Sequence, residues 1–143
     1  IILVATMIGL MYLVARFANI FHLEYPYSAQ TAILMFALGT LIILIAAYSF
    51  KKANTTVNPM TPEASSHLVV SGLYRYSRNP MYIGFFLWLV AGVIFFKNPI
   101  NLLFLPAFIL LANKLYIKPE ENALTSIFGD SFLTYKQNVR RWI

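Results

Sequence analysis

Apolar residues run almost unbroken along four stretches of this chain, about 1–21, 31–50, 80–96 and 100–117, and polar residues gather between them. Each stretch approaches the ~20 residues that a helix needs to cross a bilayer core. The pattern predicts an all-α fold, a multi-pass transmembrane helical bundle of about four spans. His22-Leu-Glu-Tyr-Pro-Tyr-Ser28 reads as a short turn, and Lys97-Asn-Pro99 joins the last two runs so closely that they are expected to form an antiparallel hairpin. The longer gap, 51–79, holds Thr55-Thr-Val-Asn-Pro59, Thr61-Pro-Glu63 and Ser65-Ser-His67, residues that make turns rather than helices. After the fourth run, Lys118-Pro-Glu-Glu121 is expected to break the span and start a new helix that Gly129 ends. From Asp130 onwards Phe132, Tyr135, Val139 and Trp142 recur at helical spacing opposite Lys136 and Arg140, an amphipathic pattern that predicts a C-terminal surface helix.

Composition narrows the class. Hydrophobic residues make up 59% and charged residues only 11% of the 143, against about 25% charged in soluble domains, which points to one integral-membrane domain over 1–143. Every lysine and arginine except Arg16 and Lys97 lies in the 51–79 loop or beyond residue 113. The positive-inside rule therefore puts the loop, the 118–143 tail and the N-terminus in the cytoplasm. The net charge of +6 suits topology and anionic lipid, so no nucleic-acid partner is expected, and Arg140 and Arg141 suit lipid head groups. Arg16 is expected to snorkel to the interface. Without cysteine there is no disulfide framework or thiol nucleophile, and no metal site is expected. Because the chain opens at Ile1 inside an apolar run, residues are expected upstream of it.

The densest functional groups lie in Gly72-Leu-Tyr-Arg-Tyr-Ser-Arg-Asn-Pro-Met-Tyr-Ile-Gly84. Pro80 suits the first position of a helix and drives Asn79 to the cap. The free N–H groups of that first turn, with Arg75 and Arg78 nearby, attract a carboxylate or phosphate. Tyr74, Tyr76 and Tyr82 offer flat faces to a heterocycle or an onium cation. The same residues also compose an interfacial anchor of basic and tyrosine side chains, the noncatalytic scaffold reading. Asn113 and Lys114 mark a site or bond a neighbouring helix. The inferred topology brings residues 78–82 and Glu120-Glu121 to one face, where a water-soluble cosubstrate could meet a lipid-embedded one.

Taken together, Leu68-Val-Val-Ser-Gly-Leu-Tyr-Arg-Tyr-Ser-Arg-Asn-Pro-Met-Tyr-Ile-Gly84, Pro119-Glu-Glu121 and Phe128-Gly-Asp130 with Tyr135 and Arg140 resemble the isoprenylcysteine carboxyl methyltransferase and phospholipid methyltransferase group of integral-membrane enzymes. The resemblance covers roughly Thr55 to the C-terminus. It implies S-adenosylmethionine as methyl donor, with the loop and C-terminal helices forming its site. Ser66, His67, Leu68 and Val69 would line the donor through their backbone, Tyr74 would pack on it, and Asn79, Pro80, Met81 and Tyr82 would hold it at the helix start. Glu120 would take its amino group or ribose. Arg78, Tyr82 and Glu121 are the expected catalytic residues, the last a proton acceptor for an amine substrate, with Tyr82 and His67 as the other candidates. Thr55, Thr56 and Asn58 would cover the donor or satisfy their own loop. The group often shows Arg-His-Pro where this chain has Arg78-Asn-Pro80, and the carboxylate-recognising arginine of the isoprenylcysteine enzymes aligns near Tyr116, with Lys114 or Lys118 as substitutes. The implied acceptor is lipophilic, entering sideways from the bilayer: a phospholipid amine, a prenylated carboxylate or a small thiol. A membrane reductase related to the sterol reductases is the other enzyme reading, and it needs a nicotinamide site.

Overall fold

A computed structural model of the protein describes residues 1–18, 26–52 and 68–143; Thr55, Thr56, Asn58, Ser66 and His67 lie outside the described residues. The elements are α1 (Ile2–Phe17), α2 (Ser28–Lys52), a 3-10 turn (Gly72–Arg75), α3 (Pro80–Phe96), a second 3-10 turn (Pro99–Leu103), α4 (Phe104–Ala112), a π turn (Asn113–Ile117), α5 (Lys118–Phe128) and α6 (Asp130–Asn138). Among the described residues there is no strand, so the all-α expectation holds. Two helical runs, Ser28–Lys52 and Pro99–Phe128, are long and apolar enough to cross a membrane, while α1 and α3 are apolar but shorter.

Two boundaries differ from expectation. Pro119 does not break the chain: Ala112 and Lys118 both keep right-handed helical angles, and the Lys118 N–H reaches back to the Asn113 carbonyl. A proline disrupts a helix because it lacks an N–H and crowds the carbonyl one turn earlier. The wide turn just before it shifts the carbonyl register, so α4 continues into α5. Nor does the last helix run through Trp142. It ends at Asn138, and Val139 is extended at φ −125°, ψ 130°.

The described chain forms two compact units, one of residues 1–41 and 84–110, the other of 42–83 and 111–143. In the first, Val4, Met7 and Met11 bury one stripe of α1. Asn101 and Asn98 donate to the Met11 and Ala18 carbonyls at 3.2 and 3.0 Å, and Asn98 Oδ1 also caps the Ile100 N–H. These asparagines are 0% and 2% exposed, so their amides need such partners. Trp88 of α3 stacks on Phe36 of α2 and donates to Thr40 Oγ1 at 3.1 Å. The helices meet at Gly39, where a Cβ would lie 2.6 Å from the Gly84 carbonyl oxygen and 2.9 Å from the Trp88 ring. Gly39→Ala is therefore expected to force the helices apart and remove about 1–3 kcal/mol. At Gly92 an added Cβ meets the flexible end of Met11 at 3.0 Å and otherwise makes ordinary contact with the Phe96 ring at 3.9 Å. Thermal unfolding in detergent checks the pair: Gly39→Ala lowers the midpoint and Gly92→Ala leaves it nearly unchanged.

In the second unit, Ala46, Val69 and Tyr74 form a core that Phe50, Leu73 and Met81 cover. Residue 72 carries φ +63°, a backbone state that favours glycine, and it starts the 3-10 turn that delivers Tyr74 to this core. Phe132 and Tyr135 bury one face of α6, and the Tyr135 hydroxyl donates to the Tyr74 carbonyl at 2.7 Å. Thus the turn before α3 and the C-terminal helices are joined inside one unit.

Candidate functional site

At the centre of this unit sits Glu121, in the first turn of α5 and 6% exposed. Its Oε1 accepts from Arg78 Nη2 at 2.8 Å and from Arg141 Nε at 3.0 Å. Oε2 accepts from Arg141 Nη2 at 2.6 Å and lies 4.0 Å from Lys136 Nζ. Burial alone would raise its pKa, but the hydrogen bond from Arg141 and the charges of Arg78, Arg141 and Lys136 outweigh burial and hold the carboxyl below its ordinary value. That same hydrogen bond to Glu121 leads the causes that raise the Arg141 guanidinium.

Arg78 is equally committed. Its Nη1 donates to the Lys136 and Val139 carbonyls at 2.8 and 3.1 Å, and its backbone N–H donates to the Arg140 carbonyl at 3.0 Å. On either side, the Ser77 hydroxyl and Asn79 Nδ2 donate to the Arg141 carbonyl at 3.3 and 3.0 Å. The Asn79 carbonyl accepts from the Tyr82 and Ile83 N–H groups, so Asn79 stands at the start of α3 as its proline neighbour requires.

Glu120, one residue earlier, has the opposite environment. It is half-buried, and its carboxylate accepts no hydrogen bond among the described residues. Burial, followed by the charge of Glu121, pushes its carboxyl up to about 7. It acts electrostatically on Tyr74, whose phenol is raised first by burial and then by Glu120, Tyr135 and Tyr82. The Tyr82 and Tyr116 rings lie 6.5 Å apart at 40°. Two adjacent carboxyls thus have pKa values driven in opposite directions, Glu120 upward by burial and the charge of Glu121, and Glu121 downward by its cationic partners.

The expected site residues are therefore brought together unequally. Asn79 and Pro80 are buried at the start of α3, with Met81 and Tyr82 half-buried after them. Tyr74 turns its ring into the core, edge-on to Phe50 at 5.2 Å, beside Val69, while Leu68 is half-buried. Sequence reasoning missed the roles of Ser77, Lys136 and Arg141. Arg141 looked like a lipid contact, yet it holds Glu121, and only an unpaired acid distant in sequence hinted at it.

The sequence model of the phospholipid methyltransferase family matches residues 27–131. A protein-S-isoprenylcysteine O-methyltransferase of Saccharomyces cerevisiae is 30% identical over 80% of this chain and 51% of its own length. A rice protein described as a probable protein-S-isoprenylcysteine O-methyltransferase (Oryza sativa subsp. indica) is 29% identical over 81% of this chain and 61% of its own. The Schizosaccharomyces pombe protein-S-isoprenylcysteine O-methyltransferase is 35% identical over 50% of this chain and 30% of its own. The chain thus spans about half the length of the first of these relatives. With a match over residues 27–131 and with its apolar helices, the chain belongs to the phospholipid methyltransferase and isoprenylcysteine O-methyltransferase family of membrane methyltransferases.

Proposed function

We propose that the protein is a four-span membrane enzyme that moves the methyl group of S-adenosylmethionine to an acceptor with an apolar tail. Its donor site lies at the cytoplasmic face, built by the loop before α3, the start of α3, and α5. The observation that carries this reading is the Glu120 carboxylate, half-buried beside tyrosines and without a donor among the described residues. A carboxyl whose pKa is raised by burial gains most from a ligand cation, and the donor offers an ammonium. The Tyr82 and Tyr116 faces suit its sulfonium or adenine.

When bound, the donor would supply an electrophilic methyl carbon for the acceptor's lone pair. The chain's own work is orientation and exclusion of water. Glu120 fixes the donor's charged end, and Tyr82 lines the start of α3. Arg78 and Glu121 satisfy each other and act by holding α3 and α5 in register, because a carboxylate held below its ordinary pKa is a poor proton acceptor. The family's name suggests a phospholipid acceptor and the relatives' names an isoprenylcysteine one; both chemistries share the apolar tail.

Calorimetry on the purified protein in detergent tests the reading. S-adenosylhomocysteine is expected to bind, and Glu120→Ala to weaken it at least about tenfold, the loss of one charge-assisted hydrogen bond. Labelled methyl from the donor is expected in a lipid extract incubated with the wild type. Binding of NADPH in place of the donor product, or no binding at all, overturns it.

A further inference from the structure

The segment after α6 is laced to the start of α3 and to α5 by hydrogen bonds and an ion pair. Its backbone accepts from Arg78, Ser77 and Asn79 through the carbonyls of Val139, Arg140 and Arg141. The Arg141 side chain grips Glu121 through two nitrogens, and Trp142 Nε1 donates to Asn113 Oδ1 at 3.3 Å. We propose that residues 139–142 form a clasp, with Arg141 its positioning residue, that locks Arg78 and Glu121 together and so leaves Glu120 without a cationic partner among the described residues, open to the donor's positive charge. The inference rests on the reading of Glu120 given above.

Two carboxylates stand side by side on α5, and the ion pairs found among the described residues, from Arg78, Lys136 and Arg141, all go to one of them. A guanidinium that meets a carboxylate with two parallel bonds is held in place more firmly than one held by charge alone. Arg141 makes that two-point contact, whereas Arg78 reaches Glu121 through Nη2 and spends Nη1 on backbone carbonyls. The charged and titratable groups facing Glu121 are Arg78 before α3, Lys136 of α6 and Arg141 of the clasp. Those acting on Glu120 or influenced by it are Glu121 on its own helix, Tyr74 of the 3-10 turn and Tyr82 of α3. Removing the Arg141 charge leaves Glu121 less neutralised, so Glu120 holds its proton to higher pH. A donor cation then has to displace that proton.

The test is titration of S-adenosylhomocysteine into the wild type, Arg141→Gln and Arg141→Lys between about pH 5.5 and 8.5. The wild type is expected to bind better as pH rises, with a midpoint near the Glu120 value of about 7. Both variants bind more weakly throughout, because the two-point grip is lost. In Arg141→Gln the midpoint also moves up by about half a unit, roughly a further twofold loss at neutral pH that approaches about threefold well below the midpoint. In Arg141→Lys, which keeps the charge, the midpoint stays with the wild type. Should Arg141→Gln not fold, Arg141→Lys decides alone: binding as tight as the wild type at every pH overturns the clasp. An unmoved midpoint in a folded Arg141→Gln overturns the clasp and leaves the donor site standing, whereas no binding by the wild type overturns both.

Discussion

Glu121→Ala is expected to remove about 3–5 kcal/mol of stability, the cost of stranding a buried charge after its partner is deleted. The Arg78 side chain is only 8% exposed, and its Nε already lacks a partner. The carbonyls of Lys136 and Val139 would still hold Nη1, but carbonyls do not neutralise a guanidinium. Loss of the acid also releases the Arg141 side chain, so the start of α3 and the segment after α6 keep their hydrogen bonds to the carbonyls of residues 139–141 but lose the ion pairs that join them through Glu121. Replacing both Arg78 and Glu121 by methionine removes the charge together with its partner, and is expected to be milder than Glu121→Ala alone. Thermal unfolding of the three proteins in one detergent checks the order. The same acid sets a pH signature. Its carboxyl is held below the ordinary 4.5 when folded, so its contribution is complete above about pH 4.5 and fades as pH falls through the folded value. Glu121→Gln is expected to lack that acid-side decline, and a variant that keeps the full decline would refute the assignment.

Local chemistry was legible in the sequence, and distant partnerships were not. The beginning of α3 at Pro80 follows from what a proline does to its own N–H and to the residue before it, so it could be read from the two residues Asn79 and Pro80. The apolar runs likewise gave α2 and α3 to within a few residues. Pro119 misled because its effect depends on the hydrogen-bond register of the preceding turn, which nothing in the residue types of 113–117 specifies. The C-terminal helix misled differently. Its apolar period continues through Val139 and Trp142, but the carbonyls of residues 139–141 are claimed by Ser77, Arg78 and Asn79, about sixty residues away in sequence. Most telling is the pair Glu120 and Glu121. As letters they are identical, and the split between a paired acid and an available one arises only when Arg78, Lys136 and Arg141 arrive from three other segments.

Binding of the donor product is expected to strengthen steeply as pH rises towards 7 and to level off above it. With a folded-state pKa of about 7, Glu120 is mostly protonated at pH 6, and a cation binds well only after that proton leaves. Affinity should then fall towards tenfold for each pH unit below the midpoint, since one proton is exchanged for each ligand bound. Glu120→Gln keeps the shape of the side chain and removes the titration, so its binding should be weak and flat across the same range. The sign is fixed independently by the ligand-free protein. A carboxyl whose folded pKa is raised favours the native state fully below its unfolded value near 4.5, and that contribution is lost as pH rises through about 7. Ligand should therefore stabilise the wild type most at pH 8, where the empty site is least stable, and the gain should shrink at pH 6. Calorimetry in two buffers of different ionisation enthalpy would show the proton directly, with close to one released per ligand at pH 6 and almost none at pH 8. A wild-type affinity that does not change between those pH values would remove Glu120 from the site.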